Sequence, residues 1–97
     1  MEEKAKKLAE LLKVLANENR LLILCQLIEG PKTVSRIAEH IPNITQSALS
    51  QHLGILKAHG ILDCTKNGQN ITYRLEDERV EKVIEVLKIY YCKEESA

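Results

Sequence analysis

Between residues 46 and 59 the chain gathers amides, hydroxyls and one cation on one side of what its periodicity makes a helix. At about 100° per residue, Leu49, Leu53 and Leu56 fall within roughly 60° of one another and form an inward stripe. Gln46, Ser47, Ser50, Gln51, Gly54 and Lys57 fan across the opposite side, with no Asp or Glu among them. Amides and hydroxyls pair with base edges in the major groove of duplex DNA. A carboxylate in the same place would repel phosphate. The plain alternative is a solvated helix face, but such faces usually mix in Glu, and this one does not. Thr45 precedes the run as an N-cap and joins the same candidate DNA-binding surface. His52 lies about 60° from the leucine stripe, on the side away from the polar face. It is therefore read first as a packing or hydrogen-bonding histidine and second as a base contact.

Other elements must position that helix. Residues 2–16 carry Ala5, Leu8, Ala9, Leu12 and Leu15 at helical spacing, with Leu11 and Val14 widening the stripe beyond one packed face. Asn17 can cap a helix over 18–29 that Gly30-Pro31 ends. The centre of that helix, Leu21 to Cys25, is apolar all round and should run through the middle of the fold. Thr33 can cap a short helix over 34–41, Pro42-Asn43 makes a turn, and Gly60 stops the helix of 46–59. Two alternating runs then flank Asn67-Gly68, a strong hairpin signal. Ile71, Tyr73 and Leu75 share one face of the second strand, and Cys64 shares a face with Leu62. Asp77 can cap a last helix over 78–93. The expectation is a mainly α chain with a small β-hairpin, in the order α-α-α-α-β-β-α: a winged helix–turn–helix. Lys66, Asn67 and Gln69 at the hairpin tip are small, polar or basic, and can reach a phosphate or the neighbouring minor groove as a wing. Taken alone, that tip reads equally well as a solvated turn.

Composition bounds the rest. Ninety-seven residues are read as one domain spanning 1–97. The formal net charge is zero, yet residues 31–75 hold five cations (Lys32, Arg36, Lys57, Lys66, Arg74) against Glu39 and Asp63. A basic centre is thus flanked by acidic ends. The three aromatic residues are all tyrosines, too few for a stacking platform on single strands. The charged start Met1-Glu2-Glu3-Lys4 gives no expectation of a secretion signal, and no apolar run is long enough for a membrane span. Three cysteines, an odd number, fit a reducing cytoplasm without a disulfide framework. No phosphate loop, nucleophile elbow or paired acid is present, so neither catalysis nor a cofactor is expected. The competing class is an interaction module of the same shape that has lost DNA binding, which an acidic reading helix would favour.

Leu15 to Leu21, Gln46 to Leu53, Gly60-Ile61-Leu62, Gly68-Gln69 and Tyr73-Arg74-Leu75 together resemble the ArsR/SmtB family of bacterial and archaeal repressors over nearly the whole chain. The resemblance implies a homodimer joined through the first and last helices and bound to a two-fold operator. Independently, the last helix has one apolar stripe (Val80, Val83, Ile84, Leu87, Tyr90, Tyr91) and a second side with Val86 and Ile89. Two apolar sides need two partners.

Members of that family commonly release DNA on binding metal, through a Cys-x-Cys pair at the third helix or His and acidic ligands on the last. Here the third helix has no cysteine, the last has no histidine, and His40, His52 and His59 are spaced 12 and 7 apart, which fits no usual ligand set. No metal site is expected, although a metal-responsive or ligand-independent regulator stays open as the alternative. The placement of Cys25 in the central helix and Cys92 at the end of the last resembles the dithiol branch of the family, which senses persulfides or oxidants by joining these two thiols. Leu24-Cys25-Gln26-Leu27 and Tyr90-Tyr91-Cys92 carry that likeness. Cys92 falls among Glu81, Glu85 and Lys88 on the helical wheel, a polar and accessible setting. The acids there would raise its pKa, so reactivity would need Lys88 or another cation. For Cys25 the bland reading is a buried small hydrophobe, and for Cys64 packing is favoured.

Overall fold

A computed structural model describes residues 1–91. Five helices and three strands follow in the order α1 (Glu2–Leu15), α2 (Glu18–Leu27), β1 (Lys32–Thr33), α3 (Val34–Glu39), α4 (Gln46–Ala58), β2 (Leu62–Asn67), β3 (Asn70–Leu75) and α5 (Glu78–Tyr91). The mainly helical chain with a small antiparallel wing is the expected architecture. Helix starts sit where short polar side chains can take an orphan N–H. Asn17 accepts from Arg20 N, Thr33 from Arg36 N and Thr45 from Ala48 N. Asp77 accepts from the backbone of Arg79 and Val80. Helix ends fall up to two residues short of their sequence-based limits: α2 stops at Leu27 and α3 at Glu39.

Two features depart from the sequence reading. Lys32 and Thr33 form a third strand, pairing antiparallel with Tyr73 and Thr72, so the sheet runs β1-β3-β2 and is not a bare hairpin. The hairpin loop is Gly68-Gln69 and not Asn67-Gly68, because Asn67 pairs with Asn70. Gly68 takes φ +67 while Gln69 keeps a negative φ, the pattern of a hairpin turn with glycine at its first central position. The displaced turn leaves the faces intact: Leu62 opposes Leu75 and Cys64 opposes Tyr73 on one side, and Asp63 opposes Arg74 on the other. Arg74 closes that second side by bonding Asp63 at 3.1 Å and Thr65 at 3.0 Å.

One core joins these elements. Ile23, Leu24 and Leu27 of α2, Ile37 of α3, Leu49, Leu53 and Leu56 of α4, Leu62 of β2, and Val80 and Ile84 of α5 are all buried in it. Each such side chain contributes about 1.5–3 kcal/mol at most on leaving water. α1 enters differently from its expected stripe. Leu15 is buried, and Leu11 and Val14 pack partly on the core, but Leu8 and Leu12 stay 55% and 49% exposed. On α5, Val83, Val86, Leu87, Ile89, Tyr90 and Tyr91 are likewise exposed. A stretch of apolar surface on each of these two helices therefore faces outward.

Candidate nucleic-acid interface and thiol site

α4 is oriented by its leucines. Leu49, Leu53 and Leu56 are at most 1% exposed, so the rotation of the helix is fixed and Gln46, Ser47, Ser50, Gln51, Gly54 and Lys57 lie exposed on its far side. Thr45 is exposed while its hydroxyl oxygen accepts from Ala48 N at 3.0 Å. Between α3, α4 and the wing runs a groove of about 260 Å³, lined among others by Ser35, Gln46, Ser50, Gln69, Asn70 and Tyr73. Gln69 of the wing is thus brought beside Gln46 and Ser50 of α4. Lys66 and Asn67 sit exposed at the tip but do not line this groove. Thr33, Ser35, Asn70 and Tyr73 were not anticipated here. The signal available in the sequence was Ser35, a small hydroxyl in the first turn of the short helix capped by Thr33.

Lys57 is less independent than its wheel position implies. Its pKa is raised, the neighbouring Cys64 side chain being the largest cause, with Tyr73 and Asp63 adding to the effect. Cys64 itself is half-buried. Tyr73 across the ladder has its phenol pushed up, chiefly by burial.

His52 is half-buried, with Nδ1 3.3 Å from Arg20 Nη1. Its first reading, as a hydrogen-bonding histidine, fits this contact. Burial first, and then the Arg20 charge, hold the imidazole below the ordinary histidine range. His40 and His59 each donate from Nδ1 to a carbonyl four residues back, those of Arg36 and Ile55. Among the described residues no cluster of three His, Cys, Asp or Glu is placed to hold a metal ion.

Cys25 lines an apolar pocket of about 300 Å³ between α2 and α5, together with Leu21, Ile84, Leu87, Lys88 and Tyr91. Lys88 Nζ donates to the Cys25 carbonyl at 3.4 Å and pairs with Glu29 at 3.6 Å. Cys92 lies outside the described residues.

Residues 17–63, from the cap of α2 to the start of the wing, match the model of the bacterial regulatory protein, arsR family. The transcriptional activator HlyU of Vibrio cholerae is 39% identical over 92 residues, covering 95% of this chain and 84% of that protein. The chain belongs to the arsR family. The biofilm growth-associated repressor of Xylella fastidiosa is 36% identical over 95 residues, covering 98% of this chain and 82% of its own. The solved structure described as reduced HlyU from Vibrio cholerae superposes with a TM-score of 0.88 over 95% of this chain and 96% of that one. As an arsR-family protein, the chain is a DNA-binding transcriptional regulator and not an enzyme. Among the described residues, no helix of this regulator is long and apolar enough to cross a membrane.

Proposed function

We propose that this regulator binds a two-fold DNA operator as a homodimer, represses from it, and releases it when Cys25 and Cys92 are oxidised. Thr45, Gln46, Ser47, Ser50, Gln51 and Lys57 meet the duplex from α4, and Lys66, Asn67 and Gln69 meet it from the wing, with His52 as a further contact. The observation that carries this reading is the acid-free face of α4, which shares one groove with wing residue Gln69. Amides and hydroxyls there suit base edges, and the cations suit phosphate. The exposed apolar residues of α1 and α5, among them Leu8, Leu12, Val86 and Ile89, supply a surface for the second subunit. Two reading helices about one helical turn apart then enter successive grooves.

The thiol input is supported by placement. Cys25 and Tyr91, the residue before Cys92, border the same pocket. A relative of known structure is described as reduced HlyU. Joining the two thiols gives up two protons and two electrons to an oxidant, such as a peroxide that leaves as water. The new bond ties α5 to α2 and moves the dimer contact, a change for which a coupling of about 1–3 kcal/mol is typical. Fluorescence anisotropy on a palindromic duplex, selected by the protein from a random pool, tests both parts. Tight, salt-dependent binding that peroxide or persulfide weakens is expected, with the response lost in Cys25→Ser and Cys92→Ser. No duplex binding at low salt refutes the DNA reading. Unchanged release in Cys92→Ser refutes the thiol reading alone.

A further inference from the structure

Arg20 joins three helices at a point that no recognised DNA contact explains. Its backbone N–H donates to Asn17 Oδ1 in the first turn of α2. Its Nε donates to the carbonyl of Val14, in the last turn of α1, where helix carbonyls lack intrahelical partners and a cation complements the dipole. Its Nη1 meets Nδ1 of His52, a residue 32 positions away on α4.

We propose that Arg20 is a positioning residue for duplex recognition: it fastens the reading helix to the α1–α2 corner and sets His52 as a neutral imidazole with its proton on Nε2. A guanidinium carries donors only, so Nδ1 must be the acceptor. A protonated imidazole would oppose N–H to N–H and hold two like charges 3.3 Å apart. The depressed basicity of His52, set by its burial and by Arg20, acts in the same direction. From α1 the nearby group is the Val14 carbonyl, already taken by Arg20, and from α2 it is Arg20 itself. Among the described residues no other charged side chain acts on the ring. His52 Nε2–H has no partner among those residues. At position 52, α4 therefore offers a hydrogen-bond donor and neither an acceptor nor a cation, matched to guanine N7 or O6, adenine N7, thymine O4 or a phosphate oxygen. Lysine does not reproduce the fork, since its donors all diverge from one nitrogen, whereas Arg20 meets the Val14 carbonyl and His52 from two, Nε and Nη1. This role rests on the reading that α4 meets DNA, but its first half is measurable without DNA.

The test combines imidazole ¹⁵N correlation spectra against pH with anisotropy on the selected palindromic duplex, for wild type, Arg20→Met, Arg20→Lys, His52→Ala and the double variant Arg20→Met/His52→Ala. In wild type, His52 is expected as the Nε2–H tautomer, titrating below the ordinary histidine value of about 6.5. In Arg20→Met the tautomers mix and the titration moves up toward that value, so duplex affinity acquires a pH dependence near it that wild type lacks. At pH 7.5 Arg20→Met weakens the duplex at least tenfold, and Arg20→Lys weakens it comparably. In the His52→Ala background the same change costs less than threefold. Should Arg20→Met fail to fold, the tautomer and titration of His52 in Arg20→Lys decide. An unchanged tautomer and titration overturn the proposal, whatever the duplex data. A changed tautomer with duplex affinity within twofold overturns the positioning role. A wild type that selects no duplex, with the spectra as expected, sinks the DNA reading and leaves the Arg20–His52 contact standing.

Discussion

Lys88 donates from Nζ to the backbone carbonyl of Cys25 at 3.4 Å, so the last helix is fastened to the central helix at the residue that carries the half-buried candidate thiol. The same ammonium pairs with Glu29 at 3.6 Å, and Glu29 in turn pairs with Lys32 at 2.7 Å, ahead of the wing strands. A cation expected to assist Cys92 is thus engaged with α2. α2, to which the end of α5 is thus tied, also packs against α4.

Lys88→Met removes that tie while keeping the apolar stem. The loss is about 0.5–1.5 kcal/mol for a hydrogen bond to a part-exposed cation. A lower urea midpoint with unchanged m-value is expected, together with faster reaction of Cys25 toward a thiol reagent in a Cys64→Ser background.

The two sides of α4 separate stability from recognition. Leu53→Ala, at a site 1% exposed, costs about 2–5 kcal/mol of unfolding free energy. Gln51→Glu, at an exposed site, leaves stability within about 0.5 kcal/mol. By placing a carboxylate on the acid-free face it weakens the duplex at least tenfold. Urea unfolding and anisotropy on the same samples check both arms.

Asp77 gives a pH signature. Its carboxylate bonds the Arg79 guanidinium and the backbone N–H groups of Arg79 and Val80, and its pKa is lowered, the Arg79 side chain being the largest cause. A carboxyl with a depressed folded-state pKa stabilises fully above its unfolded value of about 3.9, and that stability is lost as pH falls through the folded value. Asp77→Ala should therefore cost about 0.5–2 kcal/mol at pH 7 as a lost cap, with the gap to wild type closing below pH ~4. Urea titrations at pH 7, 5 and 3 read the difference.

The outward apolar helices predict the oligomer. Leu12 and Ile89 are 49% and 62% exposed and take no part in the core. Leu12→Glu combined with Ile89→Glu should shift the protein from dimer to monomer in light-scattering chromatography while its helical circular dichroism persists. Duplex affinity should then fall by at least tenfold, since one reading helix is left to act alone. A double variant that stays dimeric refutes this surface.

Local physics was legible in the chain itself. Asn17, Thr33, Thr45 and Asp77 start helices because a short oxygen-bearing side chain meets an N–H within three residues, which needs no knowledge of the rest of the fold. The leucine spacing of α4 fixed its buried side, and with it the polar face, because the helical period alone orders those side chains. Only the tertiary structure decided what depends on distant partners. Lys32-Thr33 is too short to show a strand period and is a strand only because β3 lies beside it. Gly68-Gln69 became the loop because cross-strand pairing set it one residue past the local turn signal. Which side of α1 meets the core depended on how the helix docks, as did the meeting of Arg20 with His52 and of Gln69 with Gln46. Sequence periodicity orders neighbours along one element, whereas contacts between elements follow from the packing of the whole core.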